Sequence, residues 1–329
     1  MERQGEGGRH AFAAESSLGL RRYGDRVRIA SLVPAATDVL FAVGLGDQVV
    51  AVTHECHIPG GEPERPRVSA SLVQTGDMTS DEIDRAVSDA ADAGKALYAV
   101  DAEVWAKVEP EIVVAQELCD VCAVTPNELG EAIEASRVDV GVLDYSPSTL
   151  EDVFEGIRTL GSWLGADAAA TEVVAGMRTR IDRVKNALAR IESVPRVFVS
   201  EWIEPPYAAG HWVPDMVSLA GGSDVAGMSG EPSHRMRWPD VAELEPQVVV
   251  LAPCGFDLDR ALDEVVTLDL SAHLLGTPAR RESRVFAVDA DGYFSRPGPR
   301  LAEGVELLAY LLHPDRYSDP DVPWCRIRL

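Results

Sequence analysis

The stretch VRIASLVPAATDVLFAVG, residues 27–44, decides the fold of this chain. Val27 to Val33 is a largely apolar run with the length of a buried strand, and Pro34-Ala35-Ala36-Thr37 then turns the chain. The next residues, 38–43, read as a helix that ends at Gly44, since glycine commonly follows the last helical residue. This order of strand, turn and helix predicts an α/β unit of a parallel sheet.

Strand-like and helix-like segments keep alternating outward from this unit, which again favours a parallel sheet with helices around it. Further strands are predicted at residues 49–53, 112–115 and 138–143. An acidic amphipathic helix over residues 80–93 is predicted from the opening Thr79-Ser80-Asp81-Glu82.

Residues 166–193 carry apolar side chains spaced mostly by three or four, without proline, and predict one long helix. At 1.5 Å per residue it spans roughly 40 Å, enough to run across two lobes. We therefore predict an α/β fold of two Rossmann-like lobes joined by one long backbone helix, with a ligand cleft between the lobes. The predicted segments are a flexible N-terminal tail (1–26), an N-terminal lobe (27–165), the linking helix (166–193), a C-terminal lobe (194–313) and a C-terminal tail (314–329).

The charge balance excludes some partners. The formal net charge of -24, from 54 acidic and 30 basic residues, repels phosphate backbones and anionic lipid surfaces. We therefore expect a small-molecule ligand and no nucleic acid. We also expect no membrane insertion, because no window of the sequence approaches the roughly 18 consecutive apolar residues of a membrane span. Residues 1–26 hold only short apolar fragments between charges, which predicts a cytoplasmic chain without a signal peptide, an exported receptor being the alternative.

Two short clusters of metal-ligating side chains each follow a strand-like run. His54 and Cys56 lie in VTHECHIP, and Cys119 and Cys122 lie in QELCDVCAV. Because ligands collect beyond the carboxyl ends of parallel strands, the two clusters can converge. Together they form a four-ligand set suited to zinc, iron or another transition metal. A redox or nucleophilic thiol pair, and buried thiols that pack as small apolar groups, are the open alternatives.

Four blocks of sequence, in order, resemble the class III periplasmic binding proteins, the helical-backbone receptors that serve ABC importers, and most of all their cobalamin-binding members. The blocks are RIASLVPAATDVLFAVGLGDQVVAVTHECHIP (28–59), VFVSEWIEPPYAAGHWVPDMVSLAGG (197–222), RWPDVAELEPQVVVLAPCG (237–255) and DGYFSRPGPRLAEGVELLAYL (291–311). The resemblance implies a ligand held between the lobes and, for an exported chain, an ABC importer as partner. The thiol clusters depart from an ordinary cobalamin receptor.

The resemblance also implies which side chains meet the ligand. At the first-lobe turn, backbone N–H groups suit an acceptor atom of a ligand, although Thr37 as a simple helix cap is the alternative. In the second lobe, aromatic faces suit a flat macrocycle, Arg296 could reach an amide or carboxylate, and His211 could supply an axial nitrogen to a metal. The alternative for these side chains is ordinary core or surface packing. The candidate ligand-binding residues are Pro34, Ala35, Thr37, Trp202, Tyr207, His211, Trp212, Trp238, Tyr293, Phe294 and Arg296.

The sequence contains none of three common catalytic motifs: a Gly-rich phosphate loop, a nucleophile elbow and His-Glu-x-x-His. We therefore predict a binding protein rather than an enzyme, one that captures cobalamin or a related metal chelate. The alternative is a metal- or thiol-dependent enzyme on the same fold that uses the His and Cys cluster.

Overall fold

A computed structural model of the protein describes residues 26–73, 75–76, 78–116 and 140–329. Element labels number the described helices and strands in chain order. The first lobe contains β1 (Ile29–Ser31), α1 (Pro34–Ala42), a 3-10 helix (Gly46–Gln48), β2 (Val49–Val52), β3 (Ser69–Ser71), α2 (Ser80–Asp92), β4 (Tyr98–Val100), α3 (Ala102–Val108), β5 (Ile112–Ala115), β6 (Gly141–Asp144) and α4 (Leu150–Trp163).

One 22-residue helix, α5 (Asp167–Leu188), follows α4 and leads to the second lobe. The second lobe contains β7 (Arg196–Trp202), β8 (Tyr207–Ala208), α6 (Val213–Leu219), β9 (Ser223–Asp224), β10 (His234–Arg235), α7 (Trp238–Glu243), β11 (Val248–Leu251), α8 (Leu258–Thr267), α9 (Leu270–His273), α10 (Pro278–Arg281), β12 (Val285–Val288), α11 (Ala290–Tyr293), α12 (Leu301–Leu312) and β13 (Trp324–Arg326).

Each lobe is built on a sheet whose central strands are parallel. In the first lobe the strand order is β2-β1-β5-β6, and β3 pairs with β4 in a separate antiparallel ribbon. In the second lobe the order is β10-β8-β7-β11-β12-β13, with β9 beside β7, and β7, β11 and β12 run parallel. The two-lobed α/β fold predicted from the sequence is confirmed. All carboxyl ends of the parallel strands in one lobe lie at one sheet edge, which is where a ligand site forms in such sheets.

The strand, turn and helix of residues 27–44 form for local reasons. Pro34 occupies the first helical position, where its missing N–H has no partner to lose. The helix ends just before Gly44, whose φ of +79° lies in the left-handed region that glycine adopts without steric cost. Between these ends Val39 and Leu40 are fully buried, so α1 packs its apolar face on the sheet.

The long helix α5 packs against α4 of the first lobe and α12 of the second. Its buried face repeats every three or four residues, and the same apolar cluster includes side chains of both lobes. At 1.5 Å per residue the helix is roughly 33 Å long. A helix that shares one core with both lobes resists large rotations of one lobe against the other. Across the described ranges, no helix combines the length and apolar character needed to cross a membrane.

Candidate functional site

The loops at the carboxyl ends of the two sheets meet between the lobes. Tyr145 directly follows β6, and its hydroxyl donates a 2.6 Å hydrogen bond to the carbonyl of Pro297, in the loop between α11 and α12. Arg296, in the same second-lobe loop, donates a 3.1 Å hydrogen bond to the carbonyl of Glu55, which follows β2. The cleft is therefore lined by loops that leave the carboxyl ends of the strands, as expected for a doubly wound architecture.

Arg296 is the charged centre of this cleft. Its guanidinium donates two 3.0 Å hydrogen bonds to the carboxylate of Asp291, and it lies 3.8 Å from the carboxylate of Asp38 across the cleft. The side chain is only 10% exposed. A planar guanidinium held in this way presents fixed donors, which suits recognition of a carboxylate, phosphate or amide oxygen.

Two first-lobe carboxyl groups beside Arg296 differ in their proton affinity. Burial raises the pKa of Asp38 above its usual value and outweighs the opposing effect of Arg296. In contrast, interaction with His54, whose Nε2 lies 3.2 Å from the Glu55 carboxylate, holds the pKa of Glu55 below its usual value. The cleft thus places one carboxylate that resists ionisation next to one that favours it.

The first-lobe turn of the predicted site lies at this edge of the sheet. Pro34 is half-buried and begins α1, whereas Ala35 and Thr37 are buried inside the helix. The Thr37 hydroxyl donates to the Ser31 hydroxyl at 2.8 Å and to the Val33 carbonyl at 3.3 Å. Thr37 does not cap α1, since the cap position is Val33 and no side chain caps it. The threonine therefore braces the turn from within.

Half of the predicted metal set lies within the described residues. The Cys56 sulfur is fully buried and lies 3.0 Å from the Thr37 hydroxyl and 3.1 Å from the Thr53 hydroxyl. Burial raises the pKa of the Cys56 thiol, which disfavours the thiolate that a metal requires. His54 Nδ1 lies 2.9 Å from the Ser69 hydroxyl. Within the described part of the chain, no three His, Cys, Asp or Glu side chains are arranged to hold a metal ion. Cys119 and Cys122 lie outside the described residues, so the four-ligand set stays a prediction.

Two aromatic residues of the predicted site contact the first lobe. The indole nitrogen of Trp202, at the end of β7, donates a 3.0 Å hydrogen bond to the carbonyl of Ser80, the first residue of α2. The hydroxyl of Tyr207, in β8, donates a 3.0 Å hydrogen bond to the carboxylate of Asp84, also in α2. Both side chains are half-buried at the mouth of the cleft, where they hold a first-lobe helix.

His211 and Trp212 lie in the loop before α6. His211 adopts a left-handed φ of 51°, its ring stacks on Trp212 with centroids 5.6 Å apart, and its Nδ1 is buried without a hydrogen-bond partner. A cavity of about 10 Å³ is lined by His211 and Glu201, which is room for one water molecule. The Trp212 indole is almost fully buried and donates a 2.7 Å hydrogen bond to the Phe294 carbonyl, so it ties two loops of the second lobe together.

The remaining predicted residues differ in their burial. Trp238 is 2% exposed in a second-lobe core cluster, where it stacks on His273 at 5.9 Å. Phe294 is also 2% exposed and packs in the main core. Tyr293 is half-buried, with the Arg300 guanidinium 4.0 Å above its ring. The structure therefore brings together Arg296, the turn at Pro34 and the His54–Cys56 segment, whereas Trp238 packs away from them.

Sequence reasoning missed several polar residues that line or bridge the cleft. Tyr145 directly follows a strand, two others lie in the loop after β2, and the rest occupy the first turns of a helix. Their position after a strand or at a helix start is the signal that could have found them. These residues are Asp38, Glu55, His57, Ser80, Asp84, Tyr145 and Asp291. His57 shows why sequence reasoning missed these residues. The Nδ1 atom of His57 lies 3.5 Å from the carboxylate of Asp291, which is remote in the sequence.

The sequence and the structure of the chain are similar to those of known binding proteins. The profile of the periplasmic binding protein family matches residues 29–291. The vitamin B12-binding protein of Vibrio cholerae is 23% identical over 280 residues, which are 85% of this chain and 86% of that relative. An uncharacterised ABC transporter substrate-binding lipoprotein of Bacillus subtilis, YvrC, is 24% identical over 305 residues, 89% of this chain and 82% of that protein. A crystal structure of a periplasmic heme-binding protein from Pseudomonas aeruginosa shares the fold with a TM-score of 0.68 and 20% identity, covering 92% of this chain and 99% of that one.

These relatives correct the expected location. The prediction of a cytoplasmic chain is wrong, because the similar proteins are periplasmic binding proteins or substrate-binding lipoproteins, and this points to an exported protein. The resemblance to class III receptors stated from four sequence blocks is confirmed. Since the family profile covers residues 29–291, the chain belongs to the periplasmic binding protein family and is a solute-binding protein of the ABC-importer type.

Proposed function

We propose that the ligand is a corrinoid or a related metal chelate such as heme, held in the cleft between the lobes. The observation that carries the proposal is the opposition of two sheet edges across Arg296, which bridges Asp291 of its own lobe and Glu55 and Asp38 of the other. Relatives that bind vitamin B12 and a similar structure that binds heme support a wide, planar ligand.

The roles of the cleft residues follow from their chemistry. Arg296 would donate hydrogen bonds to a peripheral amide or carboxylate of the macrocycle, and the start of α1 at Pro34 would offer backbone donors from the first lobe. Trp202, Tyr207 and Tyr293 would pack against the ring faces or rim. His211, whose Nδ1 is buried without a partner, would supply the nitrogen to the metal. We leave Trp238 out of the proposed contacts because it is 2% exposed in the core.

The test is calorimetric titration of the purified full chain with cyanocobalamin and, separately, with hemin. Saturable 1:1 binding of either compound supports the proposal, and no binding of either at 100 times the protein concentration refutes it. The variant Arg296→Gln should weaken binding by roughly ten- to a hundredfold, because a hydrogen bond to a charged group contributes about 1.5–3 kcal/mol. The control is Arg316→Gln, which removes an exposed arginine that follows the far end of α12.

His211 is tested by absorbance rather than affinity. If its ring nitrogen binds the metal, His211→Ala should shift the Soret band of the hemin complex relative to the unchanged chain. An identical spectrum would remove His211 from the proposed metal contacts while leaving cleft binding intact.

A further inference from the structure

Helix α2 crosses from the first lobe and docks on the second. It lies between β3 and β4, outside the four-stranded sheet of its own lobe. We use the word strap for Met78, Thr79 and α2 (Ser80–Asp92). The contacts of the strap fall on the residues that end β7, form β8 and build α8, all of which belong to the second lobe.

The start of the strap is held by a buried carboxylate. Glu264 of α8 is 6% exposed, and its two oxygens accept hydrogen bonds from the Ser80 backbone N–H at 3.0 and 3.1 Å. One of these oxygens also accepts from the Ser80 hydroxyl at 2.8 Å. Arg260, one helical turn earlier, donates to the carbonyls of Thr75, Gly76 and Met78 at 3.2, 3.2 and 2.8 Å. A buried carboxylate without such donors would be costly, so Glu264 strongly favours the docked strap.

A second buried carboxylate belongs to the strap itself and binds side chains of the second lobe. Asp84 is 8% exposed and accepts hydrogen bonds from the Tyr207 hydroxyl and from the Arg235 guanidinium of β10. Burial, followed by the interaction with Asp84, raises the pKa of the Tyr207 hydroxyl, so this hydroxyl stays a donor at neutral pH. Between the two anchors, Ile83 packs with Phe256 and Ala261 in a small apolar cluster of its own. The contact is therefore a complete interface, with an apolar centre and satisfied polar groups around it.

The strap and the proposed ligand need the same side chains. Trp202 and Tyr207 would pack against a macrocycle. In the docked strap, the Trp202 indole donates its hydrogen bond to Ser80 and the Tyr207 hydroxyl donates to Asp84. A macrocycle that packs on Trp202 and Tyr207 therefore has to displace the strap from these two residues.

We propose that the strap is a releasable closure of the cleft that competes with the ligand for Trp202 and Tyr207. The competition rests on the proposed ligand class, whereas the docking and release of the strap do not. Helix α2 is inserted between β3 and β4, which lie outside the four-stranded sheet of the first lobe, so its undocking is compatible with lobes that α5 holds at a fixed orientation.

The first test measures strap docking in the unliganded full chain by hydrogen exchange. In Glu264→Gln and, independently, in Asp84→Asn, the α2 amides should exchange at least about tenfold faster, because each change removes the buried charge and replaces one of its two acceptor oxygens with a donor NH2 group. Amides of β7 and β11 should keep their rates. The matched control is Asp263→Asn, which removes the same charge from an exposed position next to Glu264 on α8. Unchanged α2 exchange in both variants would overturn the proposal.

The second test measures access to the cleft without a ligand. Cys254 is half-buried and follows β11 at the same strand end as Trp202. Its alkylation by iodoacetamide, followed by peptide mapping, should be several-fold faster in Glu264→Gln than in Asp263→Asn. Equal rates would mean that the strap does not close the cleft.

The third test adds cobalamin as the probe. Saturation of the unchanged chain should accelerate α2 exchange, and the cobalamin association rate should be higher in Glu264→Gln than in Asp263→Asn. Slower α2 exchange on saturation would contradict the competition. If no chain binds cobalamin or hemin, the proposed ligand class fails, while the first two tests still decide whether the strap closes the cleft.

Discussion

Asp38 is a carboxyl group whose charge costs the folded protein free energy. Burial raises its pKa, so the ionised form is less favourable in the folded chain than in the unfolded chain. The penalty is present above the folded pKa and disappears below the unfolded value, which is near 3.8. We therefore expect Asp38→Asn to raise the melting temperature at pH 7 and to leave it unchanged near pH 3. Melting followed by differential scanning calorimetry at both pH values checks this. A lower melting temperature of the variant at pH 7 would mean that the contact with Arg296 outweighs burial.

Cys56 is the most enclosed thiol of the described residues, and its raised pKa keeps it protonated. Because the thiolate is the reactive form, we expect Cys56 to react with iodoacetamide at pH 7.5 at least about tenfold more slowly than Cys325 in the folded chain. In urea the two rates should become similar. Peptide mapping by mass spectrometry provides the measurement, and Cys325, which is half-buried in β13, is the internal control. A fast Cys56 in the folded chain would favour the thiol chemistry considered from the sequence. Protection that EDTA abolishes would instead favour the predicted metal set.

Helix caps are the element-scale feature with the most direct energetic consequence. Thr149 accepts a 3.1 Å hydrogen bond from the Asp152 N–H and donates its own N–H to the Asp152 carboxylate at 2.8 Å, which closes a capping box at the start of α4. Thr149→Ala should lower the free energy of unfolding by about 1 kcal/mol, which corresponds to roughly 2 °C in melting temperature. Thr171→Ala is the matched control, since Thr171 is an exposed residue inside α5. Equal melting temperatures for the two variants would show that the capping box does not contribute.

Elements with a local signal could be predicted from the sequence. The helix expected over 80–93 is α2, and the Thr79–Glu82 capping box that opens it is present. The helix end predicted at Gly44 is also present, with a left-handed φ of 79°. In each case a few neighbouring residues determine the backbone through capping or glycine geometry. Local patterns are sufficient there because no distant partner is needed.

Contacts between distant elements could not be predicted in the same way. Glu264 lies 184 residues from Ser80 in the sequence, and no local pattern in either segment indicates that the two residues form a hydrogen bond. Trp238 shows the converse problem: the family resemblance predicts this aromatic residue at the cleft, yet it begins α7 and packs in the core against Phe198 and His273. Apolar and aromatic side chains suit a core and a ligand cleft equally well, so residue type alone does not separate the two.

At the scale of the whole molecule, the lobes are joined by contacts of different kinds. Helix α5 shares one apolar core with both lobes, and Arg296 and Tyr145 bridge the cleft with hydrogen bonds. The strap adds a third contact at the cleft mouth. Helix α5 is held by apolar packing, and each polar bridge rests on a side chain that is itself nearly buried, with Tyr145 2% and Arg296 10% exposed. Opening of the cleft therefore has to break these hydrogen bonds, while the backbone helix keeps the lobes in register.

The net charge of -24 acts on the whole molecule and makes its stability depend on salt. Like charges spread over the surface repel one another more strongly in the folded chain than in the expanded chain, and salt screens this repulsion. We therefore expect the melting temperature to rise between 10 mM and 500 mM NaCl, and the same rise with choline chloride, because the effect requires ionic strength and not sodium. Lowering the pH from 8 towards 6 should change the salt response little, since few carboxyl groups titrate in that range. The measurement is scanning calorimetry across the salt series. A melting temperature that falls with salt would mean that the ion pairs around Arg296, Asp84 and Glu306 contribute more to stability than the repulsion removes.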